Sequence, residues 1–253
     1  MNELQGFGAG ILSCPSGASI SYSTIRGKNP GVIFLHGFRS DKEGGKALAV
    51  EELCTRHGHA FLRFDAFGHG ASSGNLLDGT IGRWAEDAVY IIDTLTSGPQ
   101  ILVGSSFGGW ISVLAALQRP DRIAGLVGIA AAPDFTEDLM WNTFSPEQRR
   151  QMEEEGAVEL EDCTDPRGSW RIPKLLIDEA RDHLVLRGPL AITCPVRLIH
   201  GQMDDDVPWQ QSLQLAELVE TDDVQVTLIK DAGHRLSRDQ DLARIRQVIA
   251  ELF

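Results

Sequence analysis

A chain of 253 residues with 42% hydrophobic content is long enough to bury a full core as one domain or two. Its 36 acidic side chains against 23 Lys and Arg leave a formal charge of −13, which argues against a nucleic-acid partner because nothing would neutralise phosphates. No apolar run approaches the roughly 20 residues of a membrane helix, so no transmembrane segment is expected.

The N-terminus carries no Lys or Arg before Arg26, and its apolar stretch from Phe7 to Leu12 is short and glycine-broken. Neither a secretory signal nor a transit peptide is expected there. Cys14, Cys54, Cys163 and Cys194 lie far apart without CxxC spacing, so we expect free thiols, no metal site and a cytoplasmic protein. The first stretch, including Ser19–Ile25, reads as one or two antiparallel strands. From there short apolar runs alternate with amphipathic ones, the rhythm of βα units around a parallel sheet.

Strand Val32–Leu35 runs into a His36-Gly37-Phe38-Arg39 loop and a helix over Lys42–His57. Strand Ala60–Phe64 precedes a helix over Ile81–Thr96. Strand Ile101–Val103 then meets Gly104-Ser105-Ser106-Phe107-Gly108, which opens a helix over Phe107–Arg119 that Pro120 closes. After strand Ile123–Ala130 the rhythm breaks. Residues 134–190 are too long for a simple connection and read as a mostly helical cap inserted between core segments 1–133 and 191–253. The core resumes with strand Val196–His200, the run Asp204-Asp205-Asp206, and a helix over Gln210–Val219. Strand Val224–Ile229 alternates in polarity, as a strand nearer a sheet edge does. His234 follows it, ahead of a last helix over Arg238–Leu252.

A G-x-S-x-G pentapeptide between a strand and a helix is the pattern of a nucleophile elbow. The flanking glycines let the turn close, and Ser106 is central, with Ser105 a packing residue on its flank. A serine hydroxyl needs a base, and His234 alone among seven histidines lies after the last strand, where the chain order Ser–Asp–His puts it. His36, His57, His59, His69, His183 and His200 read as scaffold or surface groups. Asp204, just past a strand, is the expected acid, with Asp205, Asp206 and Asp134 as alternatives. The amides of Phe38 and Phe107 are the expected oxyanion donors, with Arg39 as runner-up for the first. Trp110, Met140, Trp141 and Phe144 are candidate contacts for an acyl chain, although such apolar stripes also pack cores. Leu139, Leu175, Leu176 and Leu184 belong to the same cap faces.

With these residues in place, the chain resembles the α/β-hydrolase superfamily over nearly its whole length. A narrower similarity lies in Arg63-Phe64-Asp65, Gly68-His69-Gly70, Gly98–Ser106, Gly108-Gly109-Trp110 and Cys194–Leu198, running on to His200-Gly201 and Val207-Pro208-Trp209. These look like the mitochondrial palmitoyl-protein thioesterases that also hydrolyse acyl glucuronides. The resemblance implies an α/β-hydrolase fold, the triad Ser106, Asp204 and His234, and thioester or activated-ester substrates such as palmitoyl thioesters or acyl glucuronides. The expectation is therefore a serine carboxylesterase or thioesterase without cofactor or metal. Its partner would be a small-molecule ester or thioester, or an acylated protein. A serine at position 106 argues against dehalogenases and epoxide hydrolases of this fold, which use a carboxylate. The alternatives are a catalytically weak ligand-binding protein of the same fold and a carbon–carbon bond hydrolase.

Overall fold

The computed structural model describes residues 7–160 and 168–253. Cys163 lies outside the described residues. Eight strands form one sheet in the order β1-β2-β4-β3-β5-β6-β9-β10. Strands β1 (Phe7–Ser13) and β2 (Ser19–Ile25) are antiparallel. The remaining six are parallel to one another: β3 (Lys28–Leu35), β4 (His59–Phe64), β5 (Gln100–Ser105), β6 (Ile123–Ile129), β9 (Val196–Gly201) and β10 (Val224–Ile229). As its alternating pattern suggested, β10 is an edge.

Both faces of the sheet are covered, which explains the unbroken apolar runs of its central strands. On β5, Leu102 points into the core beneath α2 (Ile81–Leu95) and α3 (Phe107–Gln118). Its neighbours Ile101 and Val103 point the other way, beneath α1 (Gly45–His57) and α7 (Asp239–Ala250). Helix α2 is set by the Thr80 hydroxyl, which accepts the Arg83 N–H. Helix α6 (Gln210–Leu218) adds Leu215 to the first core.

Between β6 and β9 the chain leaves the sheet. This segment holds α4 (Pro146–Glu155), started by a Ser145–Gln148 capping box, and α5 (Lys174–Ala180). It also holds a feature the sequence reading missed, an antiparallel pair of β7 (Ala157–Leu160) and β8 (Trp170–Pro173). Strands of four residues are too short for a period of two to stand out.

Asp134, at the start of the segment, ties to its far end, and α5 ties to α2. Both Asp134 carboxylate oxygens accept the Val185 and Leu186 amides at 2.8 Å. Glu179 of α5 accepts the Gly82 N–H in the first turn of α2 at 2.9 Å, a place where a carboxylate is favoured.

Candidate active site

Ser106 sits between β5 and α3 with φ 53° and ψ −119°, a left-handed conformation that a serine holds only when its surroundings impose it. The imposition comes from the glycines. A Cβ on Gly108 would lie 2.2 Å from the Leu35 carbonyl oxygen, and one on Gly104 would lie 2.3 Å from the Gly108 carbonyl oxygen. Without them α3 could not approach β3 and β5 closely enough to close the turn. The backbone of Ser106 is further tied on both sides, its N–H to Ile129 O and its carbonyl to the Ala132 N–H.

The serine hydroxyl lies 3.0 Å from His234 Nε2, and His234 Nδ1 lies 2.8 Å from Asp204 Oδ2. These three residues come from three loops at the carboxyl ends of the parallel strands, where open α/β sheets gather ligands. The Asp204 side chain is fully buried, while His234 keeps 22% exposure. Burial alone would raise the Asp204 carboxyl. Hydrogen bonds from His200, His234 and the Val207 amide overcome it and hold the group well below the usual carboxylate range.

His200 is the residue that sequence reasoning set aside as scaffold. Its Nε2–H is shared between Asp204 Oδ2 and Val207 O, both at 3.0 Å, and its Nδ1 takes the Ser212 hydroxyl at 2.8 Å. Asp204 thus meets two imidazoles, His200 in the wall and His234 at the serine. The available signal was position, since a buried strand-end histidine four residues before the acid can reach it.

The alternative acids stand elsewhere. Asp134 is spent on the Val185 and Leu186 amides. Asp205 and Asp206 are exposed, and the Asp206 amide donates to Asp204 Oδ1. Asp204, Asp206 and His234 bring ligand-type atoms within 4.8 Å of one another. Two of these residues already hydrogen-bond each other, His234 Nδ1 to Asp204 Oδ2 at 2.8 Å.

The loop after β3 forms a turn closed by Ser40 N–H to Gly37 O at 3.1 Å, with Arg39 at φ 58°. Among the described residues, neither the Phe38 nor the Phe107 N–H donates to a backbone carbonyl. Both belong to the loop and helix start that flank Ser106. Beneath them His36 bridges two loops, Nδ1–H to Gly37 O at 2.8 Å and Nε2 from Ala66 N–H at 3.0 Å. Burial pushes His36 down, and burial together with the neighbouring His36 pushes His69 down to about 4. The floor of this loop is therefore uncharged at neutral pH. Phe38 rests on it, edge to face with His69 and Phe107.

Two cavities meet at Ser106 and His234. One, of about 380 Å³, gathers the apolar side chains Phe38, Phe135, Leu139, Met140, Leu160 and Trp170 beside Arg39, Asp206 and Arg235. The other, of about 670 Å³, gathers the charged side chains Arg39, Asp41, Glu43, Lys46 and Arg235 beside Phe34, Phe38 and Ala47. Of the expected acyl contacts, Met140 lines the smaller cavity and the other three do not. Trp110 is fully buried, its indole N–H donating to the His183 carbonyl at 3.0 Å, so it docks the inserted segment onto α3. Trp141 meets the Arg149 and Arg181 guanidiniums, 5.1 and 4.9 Å from its ring centroid, and Phe144 packs against it. Helical spacing identified a stripe in each case but not what the stripe faced. Trp170 and Leu160, which do line the cavity, come from the hairpin that the sequence did not reveal.

Residues 30–176 match the family model of the α/β-hydrolase fold. The chain is 42% identical over 243 residues to the mitochondrial palmitoyl-protein thioesterase ABHD10 of rat, covering 96% of this chain and 82% of that protein. The solved structure of mouse α/β hydrolase domain-containing protein 10 superposes with a TM-score of 0.91 at 41% identity, covering 97% of this chain and 98% of that one. A putative hydrolase from Agrobacterium vitis S4 gives 0.90 at 36% identity, with 98% of each chain covered. The cytoplasmic placement expected from the sequence does not stand, because the relatives at about this identity are mitochondrial proteins. The free thiols of Cys14, Cys54 and Cys194 do not say which compartment the chain occupies.

Proposed function

The chain belongs to the α/β-hydrolase fold family and stands with the mitochondrial palmitoyl-protein thioesterases, and from that premise we propose that it opens carboxylic thioesters and esters through an acyl-serine. The observation that carries this reading is the unbroken line from Ser106 Oγ through His234 to Asp204, at 3.0 and 2.8 Å. Ser106 Oγ attacks the carbonyl carbon as its proton passes to His234 Nε2. Asp204 holds Nδ1–H and stabilises the imidazolium that results. The Phe38 and Phe107 amides receive the oxyanion. Collapse of the tetrahedral species breaks the carbonyl–sulfur or carbonyl–oxygen bond, and His234 returns its proton to the departing thiol or alcohol. Water then attacks the acyl carbonyl and gives a proton to His234, the carbonyl carbon–Ser106 Oγ bond breaks, and His234 returns that proton to Ser106 Oγ as the acid leaves.

The two cavities differ in the side chains they gather at Ser106. The smaller, of about 380 Å³, offers the aromatic and aliphatic wall that suits an acyl chain and is the size of a small-ligand pocket. The larger, with its charged side chains, suits the leaving group.

The test is covalent labelling by a fluorophosphonate, followed by turnover of p-nitrophenyl esters and acyl thioesters. Wild type should label and turn over. Ser106→Ala should lose labelling and fall on the order of 10⁶-fold in kcat. Labelling without turnover would favour a ligand-binding protein instead.

A further inference from the structure

We propose that Lys46 is a positioning residue for the histidine base, its ammonium tethering the backbone immediately after His234 to helix α1. Lys46 stands in the first turn of α1, and its Nζ donates to the carbonyl oxygen of Arg235, 189 positions away in sequence. The loop it reaches needs holding. Leu236 sits at φ 45°, a strained value for a branched side chain. The two ends of the loop are pinned by other groups. Arg238 binds both Asp231 and Asp241, and the Ala232 carbonyl takes the Met203 N–H at 2.9 Å. Between those pins lie His234 and Arg235, and Lys46 meets the chain there.

The groups around Lys46 leave it to this task. Glu43, in the same larger cavity, is paired with Arg63 and Lys42. Asp41 accepts the Glu43 N–H at 2.8 Å. His36, His234, Arg235 and Arg39 complete the cationic and titratable lining, and Asp204 and Asp241 act on Lys46 through space. Burial lowers the Lys46 ammonium to about 8, Arg235 pushes the same way, and Asp204 and Asp241 oppose. The ammonium is present at neutral pH and is lost as pH rises through that value. What remains is a neutral amine, which is a weaker donor than a charged one.

The inference rests on His234 as base, and its test separates the two. Lys46→Met keeps the aliphatic stem, and Lys46→Arg keeps the charge at every accessible pH. For each variant kcat and KM on p-nitrophenyl butyrate, the rate of Ser106 phosphonylation and the melting temperature are measured, with kcat followed from pH 6 to 9. Lys46→Met should lose about 10- to 100-fold in kcat and in phosphonylation rate, with KM within about twofold, as expected when a base is displaced by a fraction of an ångström to an ångström. Wild-type kcat should decline above pH 8, and Lys46→Arg should hold. A Lys46→Met enzyme with wild-type kcat and labelling would overturn the tether, as would an alkaline decline shared by wild type and Lys46→Arg. Should Lys46→Met fail to fold, the Lys46→Arg profile decides alone. Persistent turnover in Ser106→Ala would instead overturn the catalytic reading.

Discussion

Asp204 Oδ2 serves two imidazoles, and that double use sets what its loss does. With His200 on one side and His234 on the other, the carboxylate has an anchor independent of His234. Asp204→Asn should lower kcat by about 10⁴, because the amide no longer selects the right tautomer of His234. Steady-state kinetics on a short ester would show it, and near-normal turnover would move the acid elsewhere. The same residue predicts a pH signature. Its folded carboxyl lies below the usual range, so its stabilisation is complete above the unfolded value of about 4 and is lost as pH falls below that. The melting-temperature gap between wild type and Asp204→Asn should stay constant from pH 8 to 5 and close in stronger acid. Asp134→Asn should behave oppositely, keeping kcat within about tenfold but losing about 1–3 kcal/mol of stability, since an amide cannot accept both the Val185 and Leu186 N–H groups.

The βα units and the elbow were legible from the sequence because their causes are local. Apolar runs mark the buried strands, and Gly104, Gly108 and Ser106 sit within five positions of one another. Trp170 was not legible, because its place depends on a short hairpin folding back 64 positions from Ser106 onto Phe38, 5.4 Å away ring to ring, and onto the Arg39 guanidinium. His200 escaped for a related reason, since its bond to Asp204 depends on how the loop after β9 turns. The hairpin makes its own prediction. Trp170→Ala should weaken kcat/KM for longer acyl chains by roughly 1–3 kcal/mol relative to acetate. Trp141→Ala, beside its two arginines, should leave that chain-length dependence unchanged. Measurement across an acetate-to-decanoate series decides between them, and a flat response in Trp170→Ala would take the acyl chain out of this cavity.

At the scale of the whole molecule, the sheet carries a separate core on each face. Leu102→Ala should cost about 2–5 kcal/mol in urea unfolding, and Val103→Ala should also destabilise through the opposite layer. An unaffected Val103→Ala would mean that the α1–α7 face contributes little. The sheet also sets how the three loops of the site are joined. Asp204 and His234 ride on neighbouring loops that are stitched together, for a Cβ on Gly201 would sit 2.1 Å from the Ala232 carbonyl oxygen and Met203 bonds to Ala232. Ser106 is stitched instead to Ile129 and Ala132. Ser106 reaches the Asp204 side through the end of β6, where the Ala130 N–H bonds to Ile199 O on β9 at 2.8 Å. The sheet thus runs as a continuous keel beneath all three side chains, and the bond from Lys46 to the Arg235 carbonyl adds one more strut to the His234 loop, as a cross-brace stiffens a frame.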